Sequence, residues 1–129
     1  MNRLLFLIPI TLLFNGQAVF SNEATNCFEK AWGHPDDGGF GLNRGQATAL
    51  CNGASNAVEV TTCFEKAWGH PNEGGLGLNR GQAVRLCSGA SNAVEVTTCF
   101  QKAWGHPNEG GLGLNRGAAI DLCGPSVKR

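Results

Sequence analysis

The side chains able to do chemistry in this sequence are few, and they sit at fixed places. All three histidines stand in one repeated tetrapeptide, Trp-Gly-His-Pro, at residues 32–35, 68–71 and 104–107. Carboxylates or amides follow each: Asp36 and Asp37, Asn72 and Glu73, Asn108 and Glu109. Imidazole beside carboxylate is a donor set that binds zinc or a similar ion. Its spacing argues against one shared ion. Equivalent positions on stacked hairpins lie at least about 8–10 Å apart, one helix spacing, whereas ligands of a single metal lie about 3 Å apart. The proline after each histidine holds that residue extended and limits how its ring turns back toward the carboxylate. We therefore expect no metal and no cofactor. His34, His70 and His106 are read as caps or hydrogen-bond partners of their loops, with a ligand-contacting loop made of Trp32, His34, Trp68, His70, Trp104 and His106 as the alternative.

Other catalytic patterns fail on spacing. Gly74, Gly75 and Gly77 resemble a phosphate-binding loop only in composition, because no strand precedes them and no Lys-Ser/Thr follows. The carboxylates do not alternate as a calcium loop requires. These glycines are expected to supply positive φ in a tight connection between helices. A nucleophile elbow G-x-S-x-G is absent, and the serines of the repeats lie in GASN and SGASN turns, so no enzyme is expected.

The six cysteines, Cys27, Cys51, Cys63, Cys87, Cys99 and Cys123, come singly and not in the close pairs of structural zinc sites. They reveal the organisation: Cys27, Cys63 and Cys99 are 36 residues apart, and so are Cys51, Cys87 and Cys123. Residues 63–87 differ from residues 99–123 at four positions, and the connectors 52–62 and 88–98 at one. The units are repeat 1 (22–54), repeat 2 (55–90) and repeat 3 with a C-terminal tail (91–129). Copies this close make threefold occurrence of a residue uninformative about its importance.

Within a unit the apolar positions Val60, Cys63, Phe64, Ala67 and Trp68 recur at i, i+3, i+4, i+7, i+8, the stripe of an amphipathic helix. That stripe predicts inward tryptophans; rings turned outward would instead form a ladder for sugars or peptide side chains. Asn56 with Glu59 predicts a capping box and a helix over 57–68, stopped by Gly69 and Pro71. Asn79 with Gln82 starts a second helix of about ten residues ending near Gly89, and Asn43 with Gln46 repeats the signal. In the third unit Ala118 replaces the glutamine, so the box is lost and the cap of Asn115 weakens by up to about 1 kcal/mol.

The fold class is therefore all-α: three tandem disulfide-stapled helical hairpins forming a short α-solenoid or compact bundle. Pairing within units, Cys27–Cys51, Cys63–Cys87 and Cys99–Cys123, fits antiparallel hairpins, since at 1.5 Å rise per residue the loop brings the two cysteines level. The rival pairs 51–63 and 87–99 would strand Cys27 and Cys123.

Residues 1–18 read as a signal peptide: Arg3, an apolar run from Leu4 to Phe14, then Gly16 and Ala18 at the −3 and −1 positions. A cut after Ser21 is possible. The run is about half the roughly 20 residues of a spanning helix, so no membrane insertion is expected after cleavage, although an uncleaved anchor is the alternative. Export fits the even cysteine count and places the chain in the periplasm or outside the cell. Without residues 1–18, nine Lys and Arg face ten Asp and Glu, which leaves no electrostatic footprint for nucleic acid.

The pattern Cys-Phe-x-Lys-Ala, then Gly-Leu-x-x-x-Gln-Ala-x-x-Leu-Cys-x-Gly-Ala, quoted from residues 63–90, resembles a tandem two-cysteine repeat of uncharacterised secreted bacterial proteins. The resemblance implies an exported repeat protein and no catalytic residues. The function expected is that of a binding or interaction module with a protein or glycan partner. A structural envelope protein or a secreted effector without enzymatic activity is the alternative.

Overall fold

The computed structural model describes residues 22–124. The signal-peptide reading, with either cut, and the tail beyond Gly124 lie outside the described residues. What is described is helical throughout, without a strand. Helix α1 (Glu23–Trp32) pairs with α2 (Arg44–Cys51), α3 (Ala57–Trp68) with α4 (Arg80–Cys87), and α5 (Ala93–Trp104) with α6 (Arg116–Cys123). One-turn 3-10 helices at Pro35–Asp37, Pro71–Glu73 and Pro107–Glu109 sit in the three long loops. Helices α1, α3 and α5 form one layer and α2, α4 and α6 the other, each touching only its neighbour along the layer and its hairpin partner or the adjoining helix. The hairpins are thus stacked in series in two layers.

Disulfides close each hairpin as the spacing predicts. Cys27 joins Cys51, Cys63 joins Cys87 and Cys99 joins Cys123, with Cα atoms 5.6, 5.6 and 5.8 Å apart. Each closes a separation of 24 residues and contributes roughly 3 kcal/mol by the loop-entropy estimate. Around them Val60, Phe64, Leu42, Leu50, Leu86, Phe100 and Ile120 are buried.

Helix α3 spans the stretch its periodicity predicts, and Asn56 caps it by accepting the amides of Val58 (3.1 Å) and Glu59 (3.3 Å). The expected box does not close, because Glu59 turns away from its own cap. Its Oε1 accepts the amide of Ala93, the first residue of α5, at 2.6 Å, and Glu23 does the same for Ala57 of α3 at 2.7 Å. An orphan amide at each helix start is thereby satisfied from the preceding repeat. The boxes of α2 and α4 do close: Asn43 accepts from Gln46 (2.7 Å) and Asn79 from Gln82 (2.8 Å), with the glutamines returning at 3.2 and 3.1 Å. In α6 only the Asn115 to Ala118 half remains, at 2.8 Å. These second helices have eight residues, fewer than expected. After Cys87 the chain is drawn to the preceding hairpin, where the Ser88 hydroxyl donates to the Ala49 carbonyl (2.6 Å) and the Gly89 amide to that of Leu50 (3.0 Å).

Candidate functional site

Each long loop is a clasp over the end of a helix. In repeat 2 the chain leaves α3 at Gly69, and His70 Nδ1 accepts the Asn72 amide at 3.1 Å, starting the one-turn helix. Gly74, with φ 85°, ends that turn in the left-handed region, where a side chain is disfavoured. The strand of loop beyond it runs back along α3. The amide of Leu76 donates to the Lys66 carbonyl (2.9 Å), that of Gly77 to Gly69 (2.9 Å) and that of Leu78 to Ala67 (3.0 Å). Carbonyls that a helix end leaves open are satisfied in this way. Gly75 crosses so close to Gly69 that a Cβ there would overlap the Gly69 backbone.

His34 and His106 repeat the cap, accepting the amides of Asp36 and Asn108 at 3.0 Å each. All three histidines are exposed and hold their loops through Nδ1, in the capping role the sequence suggests. Among the described residues no three His, Cys, Asp or Glu side chains converge as a metal centre requires, and every cysteine is in a disulfide.

The tryptophans correct the sequence reading. Trp32, Trp68 and Trp104 are 48, 40 and 43% exposed and do not belong to the core. Each is the last residue of its helix. The stripe counts it as one more inward position, but beyond it the chain turns into the clasp and no facing helix remains to cover the ring. The Trp68 ring tilts against Phe64 with centroids 5.7 Å apart, and the Arg80 guanidinium lies 5.1 Å from the indole centroid. Arg44 over Trp32 (5.3 Å) and Arg116 over Trp104 (5.1 Å) repeat the arrangement.

No sequence motif marks Arg44, Arg80 and Arg116. Each is the first residue of the second helix of its hairpin, and the antiparallel turn brings that helix start beside the end of the first. The signal was present in the constant separation of 12 residues from tryptophan to arginine, read together with the hairpin. Arg80 also reaches the Gly41 carbonyl of the preceding loop at 3.5 Å.

Shallow hollows flank the rings. Trp32, His34, Pro35 and Leu42 border one of about 480 Å³, and Trp104, His106, Pro107 and Leu112 one of about 680 Å³. Another, about 320 Å³, lies where Pro71 and Leu76 of one repeat meet Gln101, Trp104 and Arg116 of the next. A half-exposed indole under a guanidinium offers an aromatic face, a cation and fixed donors, with Asp36, Asp37, Glu73 and Glu109 as acceptors nearby in the loops. That set suits stacking and hydrogen bonding. No protein-family model, curated protein or solved structure matches the chain.

Proposed function

We propose that this is an exported, non-enzymatic binding module that engages a protein or glycan along the edge carrying Trp32, Trp68 and Trp104. The observation that carries this reading is the threefold Trp–Arg pair, left half-exposed at the same end of every hairpin. Large exposed aromatic surface is costly to leave wet, and tryptophan and arginine are enriched among the residues that carry most of the energy of protein interfaces. Loops clasped by their own backbone hold those faces in place before a ligand arrives, which reduces the ordering cost of binding. Three disulfides are in keeping with an oxidising compartment.

The experiment is a glycan and peptide array probed with the oxidised protein. It is repeated with a Trp32→Ala, Trp68→Ala, Trp104→Ala triple variant whose disulfides and circular dichroism are intact. Binding that falls at least about tenfold in the triple variant supports the edge as the site. Binding that survives unchanged removes the tryptophans from the interface and the reading with them.

A further inference from the structure

Among the described residues, the two end faces of the stack are the two halves of a joint that the chain already makes twice. On the face of repeat 3 that points away from repeat 2, Leu112 and Leu122 are each 53% exposed. Their counterparts Phe40 and Leu76, and Leu50 and Leu86, are at most 6% exposed, because the next hairpin covers them. Val96 and Cys99 on the same face are only half-buried, whereas Val60 and Cys63 are fully buried. Val96, Cys99 and Leu122 border a hollow of about 360 Å³ with Glu95 at its rim. Glu95 occupies the place from which Glu23 and Glu59 cap the following helix, and it is exposed.

At the other end, repeat 1 presents the face that repeats 2 and 3 use to receive a predecessor. Phe28 is half-buried there and Thr48 exposed, whereas their counterparts Phe64 and Phe100, and Val84 and Ile120, are buried. Ala24, Thr25, Phe28 and Thr48 border a hollow of about 450 Å³ on this face.

We infer that the repeat 3 face of one copy receives the repeat 1 face of a second copy, head to tail. The occupant is identified by continuity with the internal joints. There Phe40 stacks on Phe64 at 4.6 Å, Lys30 lies 4.0 Å from Glu65, and Arg80 reaches Gly41. One period on, Leu112 meets the second copy's Phe28, Lys102 meets its Glu29, and Arg44 of that copy reaches the Gly113 carbonyl. The partners of these three contacts are present and bear the same or complementary chemistry. Because the two faces differ, the contact is heterologous: a pair of copies still presents one face of each kind, and the joint extends a row of copies. The row carries the tryptophan edge on from copy to copy, but the inference stands on the end faces and is independent of what that edge binds.

Sedimentation velocity of the oxidised full chain, followed across a wide concentration range, tests it. The expected result is an average mass that rises with concentration and does not level off at a dimer. Leu112→Lys and Phe28→Lys should each weaken association at least about tenfold. A mixture of the two should form a one-to-one complex that stops there, since only one compatible pair of faces survives. Leu122→Lys and Thr48→Arg, at exposed positions on the same two faces, give the same result independently of any folding defect in the first pair. A wild-type chain that stays monomeric overturns the inference, and so does association that Leu112→Lys abolishes while Phe28→Lys leaves it intact, which is the mark of a symmetric dimer. Association seen only after removal of residues 125–129 also overturns it, because the tail is then the occupant.

Discussion

The joint between the first and second hairpins is held differently from the joint between the second and third, although repeats 2 and 3 are near copies. At the first joint Phe40 of the loop stacks on Phe64 of α3, with the Lys30 ammonium 5.5 Å from the Phe40 ring and 4.0 Å from Glu65. At the second, Leu76 stands where Phe40 does and Gln101 where Glu65 does, so the ring pair and the ion pair are both missing. Arg85 and Asp121 replace them at 2.6 Å, where the first joint has Ala49 opposite Arg85. Both joints keep the glutamate that caps the next helix. Two of the four positions separating residues 63–87 from 99–123 are Gln101 and Asp121, both at the joint. Divergence after duplication has thus changed side chains where hairpins meet and opened the capping box of α6 at Ala118, while the disulfide and the clasp are unaltered.

The largest expected effect falls on the aromatic joint. Phe64→Ala removes a fully buried ring and should destabilise by about 3–5 kcal/mol in urea or thermal unfolding. A loss under about 1 kcal/mol would mean that the ring stack contributes nothing beyond filling space that neighbours can fill. Trp68→Ala, one helical turn further along, should cost only about 1–2 kcal/mol, since its ring is half wet and its arginine contact is of the exposed kind. If Trp68→Ala matched Phe64→Ala, the contrast between buried joint and open edge would fail.

Phe40→Leu gives the first joint the residue of the second. It should cost about 0.5–1.5 kcal/mol, the aromatic pair term, and equal stability would show that the two joints are interchangeable. Smallest is the Arg85–Asp121 pair, both of whose side chains are more than half exposed. A double-mutant cycle should return about 0.2–1 kcal/mol, shrinking as salt is added. A coupling that persists at molar salt would show that a geometric constraint, not charge, holds that joint.

Much of this architecture could be read from local pattern. The bounds of α3, the pairing inside hairpins, the capping boxes of α2 and α4 and the histidine caps all depend on residues within one unit. What escaped depends on residues about one period apart, or on a helix end. Glu59 looked like the partner of its own cap because Asn56 lies three residues before it, while the amide it serves lies 34 residues on. Trp68 looked buried because a helical wheel has no end, whereas a helix does. The arginines escaped because their partners are contributed by the other helix of the hairpin.

The glutamate caps also give the stack a direction. Ala57 and Ala93 receive their capping carboxylate from the unit before them, so α3 and α5 are each completed by a predecessor and never by a successor. Removing a hairpin from the front therefore uncovers a helix start, whereas removing one from the back merely frees a solvated carboxylate. Deleting repeat 1 should cost the remaining pair more stability than deleting repeat 3 costs its pair. A chain that emerges N-terminus first would find each new helix start already provided for, so order of emergence and order of assembly coincide. Equal losses from the two deletions would show that this polarity has no energetic weight.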